Sequence, residues 1–115
     1  MKTIIAGSRT ITDYQIVKTA IENSGWLGKI TLIVSGCARG VDQLALRFAR
    51  ENSIPTAKFP ANWKKYGKSA GHRRNADMAD YADALIAVQL NNSPGTTNMI
   101  DTMGNRGKLV YIDKH

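Results

Sequence analysis

Four short stretches of this 115-residue sequence set glycine beside hydroxyl side chains, and three of them add arginine, the mixture that grips a phosphate. In Gly7-Ser8-Arg9, glycine lets the backbone approach a ligand closely, serine supplies a donor hydroxyl and arginine a planar fork. Read otherwise, the tripeptide is a strand-ending turn with a surface arginine. Ser35-Gly36-Cys37-Ala38-Arg39-Gly40-Val41-Asp42 carries more. Its two glycines bracket a strand-to-helix turn, so amides at the helix start can point at an anion, and Arg39 adds charge. Asp42 falls in the first helical turn, where it caps the helix or balances its dipole. The stretch lacks both the Gly-Lys-Ser/Thr ending of a Walker A loop and the G-x-G-x-x-G dinucleotide fingerprint. Cys37, with no catalytic constellation around it, reads as a packing residue in a tight turn.

The third stretch, Pro60 to Asn75, mixes cations with Trp63 and Tyr66. An aromatic ring there can stack on a base while lysine and arginine hold phosphates, a combination that also serves single-stranded nucleic acid. Trp63 fits equally well tucked onto the sheet edge. Arg74 and Asn75, beginning a helix, are better placed for a site than Lys64 and Lys65, which read as solvated. In the fourth stretch, Asn91 to Thr96, Gly95 and Thr96 offer an amide and a hydroxyl at a helix N-terminus, a phosphate-holding geometry. The alternative is a Ser-Pro-Gly turn with Ser93 or Thr96 as N-cap. Acid–base chemistry is thinly provided. Asp83 falls at the end of the fold opposite these loops, while Asp77 and Asp80 follow the arginines and are placed to orient them. No His, Cys or carboxylate cluster has metal-ligand spacing, so no metal is expected, and no cofactor beyond a nucleotide ligand itself.

The elements that must position these stretches alternate regularly. Thr3–Ala6, Ile30–Val34, Ile54–Phe59, Ala84–Val88 and Leu109–Ile112 read as short apolar strands. Between them fall helical periods at Tyr14–Asn23, from Gly40 through Ala49, near Arg74–Tyr81 and from about Gly95 to Met103, with Pro60–Ala70 as a polar loop. Five strands alternating with four helices predict a single α/β domain over residues 1–115. It would be a Rossmann-like three-layer fold, a five-stranded, mostly parallel sheet with helices on both faces. In such sheets ligands bind beyond the carboxyl ends of the strands, and all four stretches fall there.

The net charge of +7 points to an anionic partner, and its distribution sharpens the point. From Asn52 to Ala76 there is no acidic residue, while Lys58, Lys64, Lys65, Lys68, Arg73 and Arg74 are all present. No apolar run approaches the ~20 residues of a membrane span. The N-terminus reads as a strand and not as a signal peptide, and a single cysteine suits a reducing compartment. A cytoplasmic protein with no membrane partner is therefore expected.

Taken in order, these motifs resemble the YspA/YpsA-related branch of the SLOG superfamily. The resemblance rests on Gly-Ser-Arg at 7–9, Ser-Gly-x-Ala-Arg-Gly-Val-Asp at 35–42, Pro-Ala-x-Trp at 60–63, Tyr-Gly-Lys at 66–68, Ala-Gly-x-x-Arg-Asn at 70–75 and Gly-Thr at 95–96. It implies a Rossmann-like sheet and a role in binding nucleotide-derived ligands. The wider superfamily includes the lonely-guy phosphoribohydrolases and the DNA-processing protein DprA. The former carry Arg-Lys-x-x-Met on a helix and then Pro-Gly-Gly-x-Gly-Thr-x-x-Glu. Arg74-Asn75-Ala76-Asp77-Met78 matches the first element with asparagine for lysine, and Gly95-Thr96 matches the second, but the position of the catalytic glutamate is Met99. A thioether is no general base, which counts against cleavage. Cys37 and Asn62 are further departures, from the glycine and aspartate usual in nearer relatives.

Three functions follow as expectations. The first is binding of a phosphate-bearing nucleotide by Gly7, Ser8, Arg9, Ser35, Gly36, Arg39, Gly40, Asp42, Trp63, Arg74, Asn75, Ser93, Gly95 and Thr96. Here Gly36, Arg39, Gly40, Gly95 and Thr96 form the phosphate cradle and Arg74 is the main cation. The second is hydrolysis of a nucleoside monophosphate at its N-glycosidic bond, with Asp42 or Asp77 replacing the missing glutamate. The third is single-stranded nucleic-acid binding. Self-association into a homo-oligomer is also expected.

Overall fold

In the computed structural model, which describes all of residues 1–115, the first strand, β1 (Lys2–Gly7), divides its apolar residues by the pleat. Ile5 joins one buried cluster, and Ile4 and Ala6 join the other. The same alternation separates Ile33 from Val34 on β2 (Leu32–Ser35). β3 is Thr56–Lys58, and on β4 (Ala84–Gln89) Ile86 and Val88 part from Leu85 and Ala87. The strands order as β3-β2-β1-β4-β5, with β5 spanning Leu109–Lys114, and every pairing is parallel. Every residue of β4 is buried, as a central strand covered on both faces requires.

Helices α1 (Tyr14–Asn23) and α2 (Val41–Glu51) cover one face through Val17, Ala20, Ile21, Val41, Ala45 and Phe48. The one-turn helix α3 (Trp63–Tyr66) leads into α4 (Ala70–Tyr81), which with α5 (Pro94–Asn105) covers the other face through Met78, Ala79, Met99 and Met103. The result is a three-layer, Rossmann-like α/β fold. The chain winds outward from β1 to β3, then crosses back to β4. A crevice therefore opens at the carboxyl ends of β1 and β4, where strand order reverses.

The sheet is wholly parallel where the sequence predicts a mostly parallel one. β3 is shorter than the expected Ile54–Phe59, because Pro55 has no N–H for a ladder; its carbonyl still accepts Ile33 N–H at 2.9 Å. There are five α-helices in place of four. α3 forms inside the expected Pro60–Ala70 loop, started by the Asn62 side chain, which accepts Lys65 N–H at 3.1 Å. α4 begins at Ala70 and not near Arg74. No helix is long and apolar enough to cross a membrane. Asp83 lies at the amino ends of the strands, its carboxylate accepting Lys2 N–H at 2.8 Å, so it stands far from the crevice as its sequence position implies. Asp80 pairs with Arg106 at 2.8 Å and not with Arg73 or Arg74.

Candidate functional site

At the reversal point a chain of hydroxyls joins three elements. Ser8, just beyond β1, accepts Leu90 N–H at 2.8 Å, and its Oγ lies 2.9 Å from that of Ser93. Ser93 Oγ in turn donates to Thr96 Oγ1 at 2.9 Å. These bonds use the Ser93 hydroxyl, so as N-cap of α5 it caps no backbone amide. Pro94 has no N–H, and the first amide bonded back into the helix is that of Thr97, to Ser93 O at 3.0 Å. The N–H groups of Gly95 and Thr96 are left available where the positive end of the α5 dipole meets the crevice. Asn75 fixes this end to α4 through its side-chain NH2, which donates to Asn98 Oδ1 at 2.9 Å and Gly95 O at 3.4 Å.

The crevice holds a cavity of about 440 Å3. Of the residues expected from sequence, Gly7, Ser8, Arg9, Asp42, Trp63, Arg74, Asn75, Ser93, Gly95 and Thr96 line it. Arg9, Lys68, His72 and Arg74 are its basic residues, and Asp42 is its one carboxylate. Trp63 is not tucked onto the sheet edge. It stands 50 % exposed at the mouth, its ring edge against Gly71 and the Arg9 guanidinium 5.8 Å from its ring centre. Met78 and Met99, each 1 % exposed, contribute apolar floor.

Ser35, Gly36, Arg39 and Gly40 lie outside the lining. Arg39 is exposed on the surface, while the other three work beneath it. The buried Ser35 hydroxyl accepts Cys37 N–H and donates to Asp42 O, each at 3.2 Å. Val41 N–H donates to Ser8 O at 3.3 Å, and Ala38 N–H donates to the Asp42 carboxylate at 3.0 Å. Three amides of this turn, those of Cys37, Ala38 and Val41, are thereby used in holding the loop and tying it to the end of β1. Gly36 is needed for space: a Cβ there would stand within 3.0 Å of both the Arg74 guanidinium and the Asp42 carboxylate. Cys37 takes φ +63°, a conformation that favours glycine.

Arg74 is anchored by its own bonds. Nη1 donates to the Gly36 carbonyl and Nε to Asn75 Oδ1 at 3.0 Å. Burial lowers its pKa, opposed by the nearby Asp42 charge. Asp42 is only 5 % exposed, and burial pushes its carboxyl up to about 6 against the opposing pull of Ala38 N–H, Arg74 and Arg9. An acid whose pKa is higher folded than unfolded makes the folded state bind the proton more tightly. This group's contribution to stability is therefore fully present below about pH 4 and is lost as the pH rises to about 6. The difference in unfolding free energy between Asp42→Asn and the parent should grow in favour of the variant across that window. It should plateau above pH 6 at roughly 2–3 kcal/mol, measured by denaturant titration. A difference independent of pH would show that Asp42 ionises normally.

Lys68, Gly71, His72 and Met78 were not singled out as site residues from sequence. Starting the helix at Ala70 would have placed Gly71, Arg74, Asn75 and Met78 on one face by their three- and four-residue spacing.

No curated protein matches the chain. Among solved structures it is similar to DNA processing protein A (DprA) from Streptococcus pneumoniae, with a TM-score of 0.76 and 20 % sequence identity. That similarity covers 96 % of this chain and 49 % of the other, so the chain spans about half the length of that protein, and what the two share is the fold. The family model described as "YspA, cpYpsA-related SLOG family" matches residues 1–66, more than half of the sequence. The chain belongs to the YspA-related SLOG family.

Proposed function

We propose that this chain binds a phosphate-bearing nucleotide or nucleotide derivative in the cavity at the carboxyl ends of β1 and β4. The observation that carries the reading is the convergence there of two available amides, Gly95 and Thr96, with the cations Arg74, Arg9 and Lys68. A helix N-terminus flanked by guanidinium groups favours a phosphate over a neutral ligand. The cavity's volume falls in the range of small-ligand sites, and it is too compact a feature to require a long polyanion. Trp63 at the mouth offers a half-exposed ring for a base.

Thermal unfolding in the presence of mononucleotides, dinucleotides, ADP-ribose and cyclic nucleotides tests the proposal. At least one should raise the transition temperature in proportion to the logarithm of its concentration. No shift with any of them, for a folded sample, would rule the reading out. Native mass spectrometry of the purified protein would identify a tightly held ligand by mass. For a ligand so found, Trp63→Ala should weaken nucleotide binding about tenfold, as the loss of one stacked base does, while leaving the affinity for the matching sugar phosphate nearly unchanged. Calorimetry with both ligands makes that comparison.

A second reading, hydrolysis of the N-glycosidic bond, is favoured by one observation: Asp42 brings a buried carboxyl of raised pKa into the cavity. Free adenine released from AMP, and lost in Asp42→Asn, would establish it. For self-association, the most apolar exposed edge is β5, where Leu109 and Ile112 are uncovered. Light scattering decides whether it is used.

A further inference from the structure

Asp42 is an anomaly in a cavity read as an anion site. A carboxylate repels a phosphate, and this one is buried at some cost. Its charge is not spent on an ion pair, since neither Arg74 nor Arg9 comes within salt-bridge distance of it. Arg74 is held instead by the Gly36 carbonyl and Asn75, and Asp42 by Ala38 N–H on Oδ2 alone. No fully buried side-chain polar atom in the protein lacks a partner, so Oδ1, which has none, keeps accessible surface on a residue that lines the cavity.

We propose that Asp42 Oδ1 accepts a hydrogen bond from a sugar hydroxyl of the ligand, making this a site for ribonucleotides. The proposal rests on the nucleotide reading above and names the part of the ligand that reading leaves open. A carboxylate beside bound phosphate must face an uncharged donor, and a nucleotide offers sugar hydroxyls and base amines. Trp63 stands half exposed at the mouth with the Arg9 guanidinium 5.8 Å from its ring centre, whereas Asp42 is buried where the charges of both Arg74 and Arg9 reach it. A base stacked on the indole therefore lies at the outer end, a phosphate on Arg74 and α5 at the inner end, and the sugar between them. Above pH 6 the carboxyl is ionised, in the form that accepts most strongly.

The test compares AMP, 2′-deoxy-AMP and 3′-deoxy-AMP by calorimetry at pH 7.5, on the parent chain and on Asp42→Asn. The parent should bind AMP at least tenfold more tightly than one of the two deoxy analogues. In Asp42→Asn the amide carbonyl can retain Ala38 N–H, which turns an NH2 donor toward the hydroxyl. Only a neutral bond from that NH2 to the hydroxyl oxygen can then replace the charge-assisted one, so AMP should weaken about tenfold and the preference over the deoxy analogue should shrink. Equal binding of all three nucleotides by the parent overturns the assignment to Asp42 while leaving nucleotide binding intact. Binding of none of them, nor of any other member of the nucleotide panel, overturns both. Should the variant fail to fold, the comparison among ligands on the parent still decides.

Discussion

Replacing Arg74 by alanine should lower the affinity for a nucleotide phosphate by about 100-fold, the largest loss expected from any single side chain of the cavity. The guanidinium is fixed before a ligand arrives, by the Gly36 carbonyl on one side and Asn75 Oδ1 on the other. Its remaining N–H donors can meet a phosphate without first losing rotamer freedom, and a charge-assisted bond so prepared contributes roughly 1.5–3 kcal/mol. Two such bonds, or one with the Coulomb attraction of a partly buried cation, account for the factor. Arg74→Lys should recover only a small part of it. An ammonium has no fixed fork, so it cannot hold Gly36 and Asn75 together while still presenting donors to the ligand. Removing the guanidinium also takes away a favourable charge beside Asp42, so that carboxyl should titrate still higher than about 6 in Arg74→Ala. Calorimetry gives the affinity and carboxyl-selective NMR the titration. Unchanged affinity in a folded variant would mean the phosphate is held elsewhere.

The layered α/β architecture was legible because a parallel sheet writes itself as apolar runs. Thr3–Ala6 and Ala84–Val88 have few polar positions, since both their faces are covered. The loops where chemistry gathers were legible for the same reason, as the turns at the carboxyl ends of those runs. The segment from Pro60 to Arg73 was opaque. Its helices expose most of their length, so Trp63–Tyr66 and the first turn of α4 carry no apolar stripe. Lys68 and His72 come to the cavity only through that unrecognised helical geometry. The two glycine turns also differ in a way composition does not record. At 35–42 the amides of Cys37, Ala38 and Val41 are bonded within the loop or to Ser8, and Ser35, Gly36, Arg39 and Gly40 lie outside the cavity lining, whereas at 93–96 a proline and a hydroxyl chain leave two amides available beside the cavity. Asp42 could be placed at a helix start from sequence, but whether its carboxylate caps, pairs or faces a cavity depends on the distance to Arg74, thirty-two positions along the chain.

Gly40→Ala should destabilise the fold by roughly 3–5 kcal/mol, although glycine-to-alanine changes inside helices usually do the reverse. Gly40 takes φ +74° and ψ −128°, a backbone conformation open almost solely to glycine, and forcing a Cβ into it costs about 1–3 kcal/mol. The added carbon would also meet the Ser8 carbonyl oxygen and the Arg9 backbone far inside contact distance. Those are main-chain atoms and cannot swing aside, so the segment after β1 must move, adding an overpacking cost of similar size. That movement would disturb the Ser8 O to Val41 N–H bond that joins the end of β1 to the start of α2. Gly104→Ala is the matched control. It lies in α5 with nothing within 4 Å of the new Cβ, and should stabilise the protein by about 0.5–1 kcal/mol through lower backbone entropy in the unfolded chain. Urea unfolding of the two variants should therefore move the midpoint in opposite directions. Because the displaced segment carries Ser8 and Arg9, Gly40→Ala should also weaken nucleotide binding even where enough folded protein remains to measure it. A Gly40→Ala protein as stable as the parent would show that the Gly40–Ser8 contact is not what fixes the wall of the cavity.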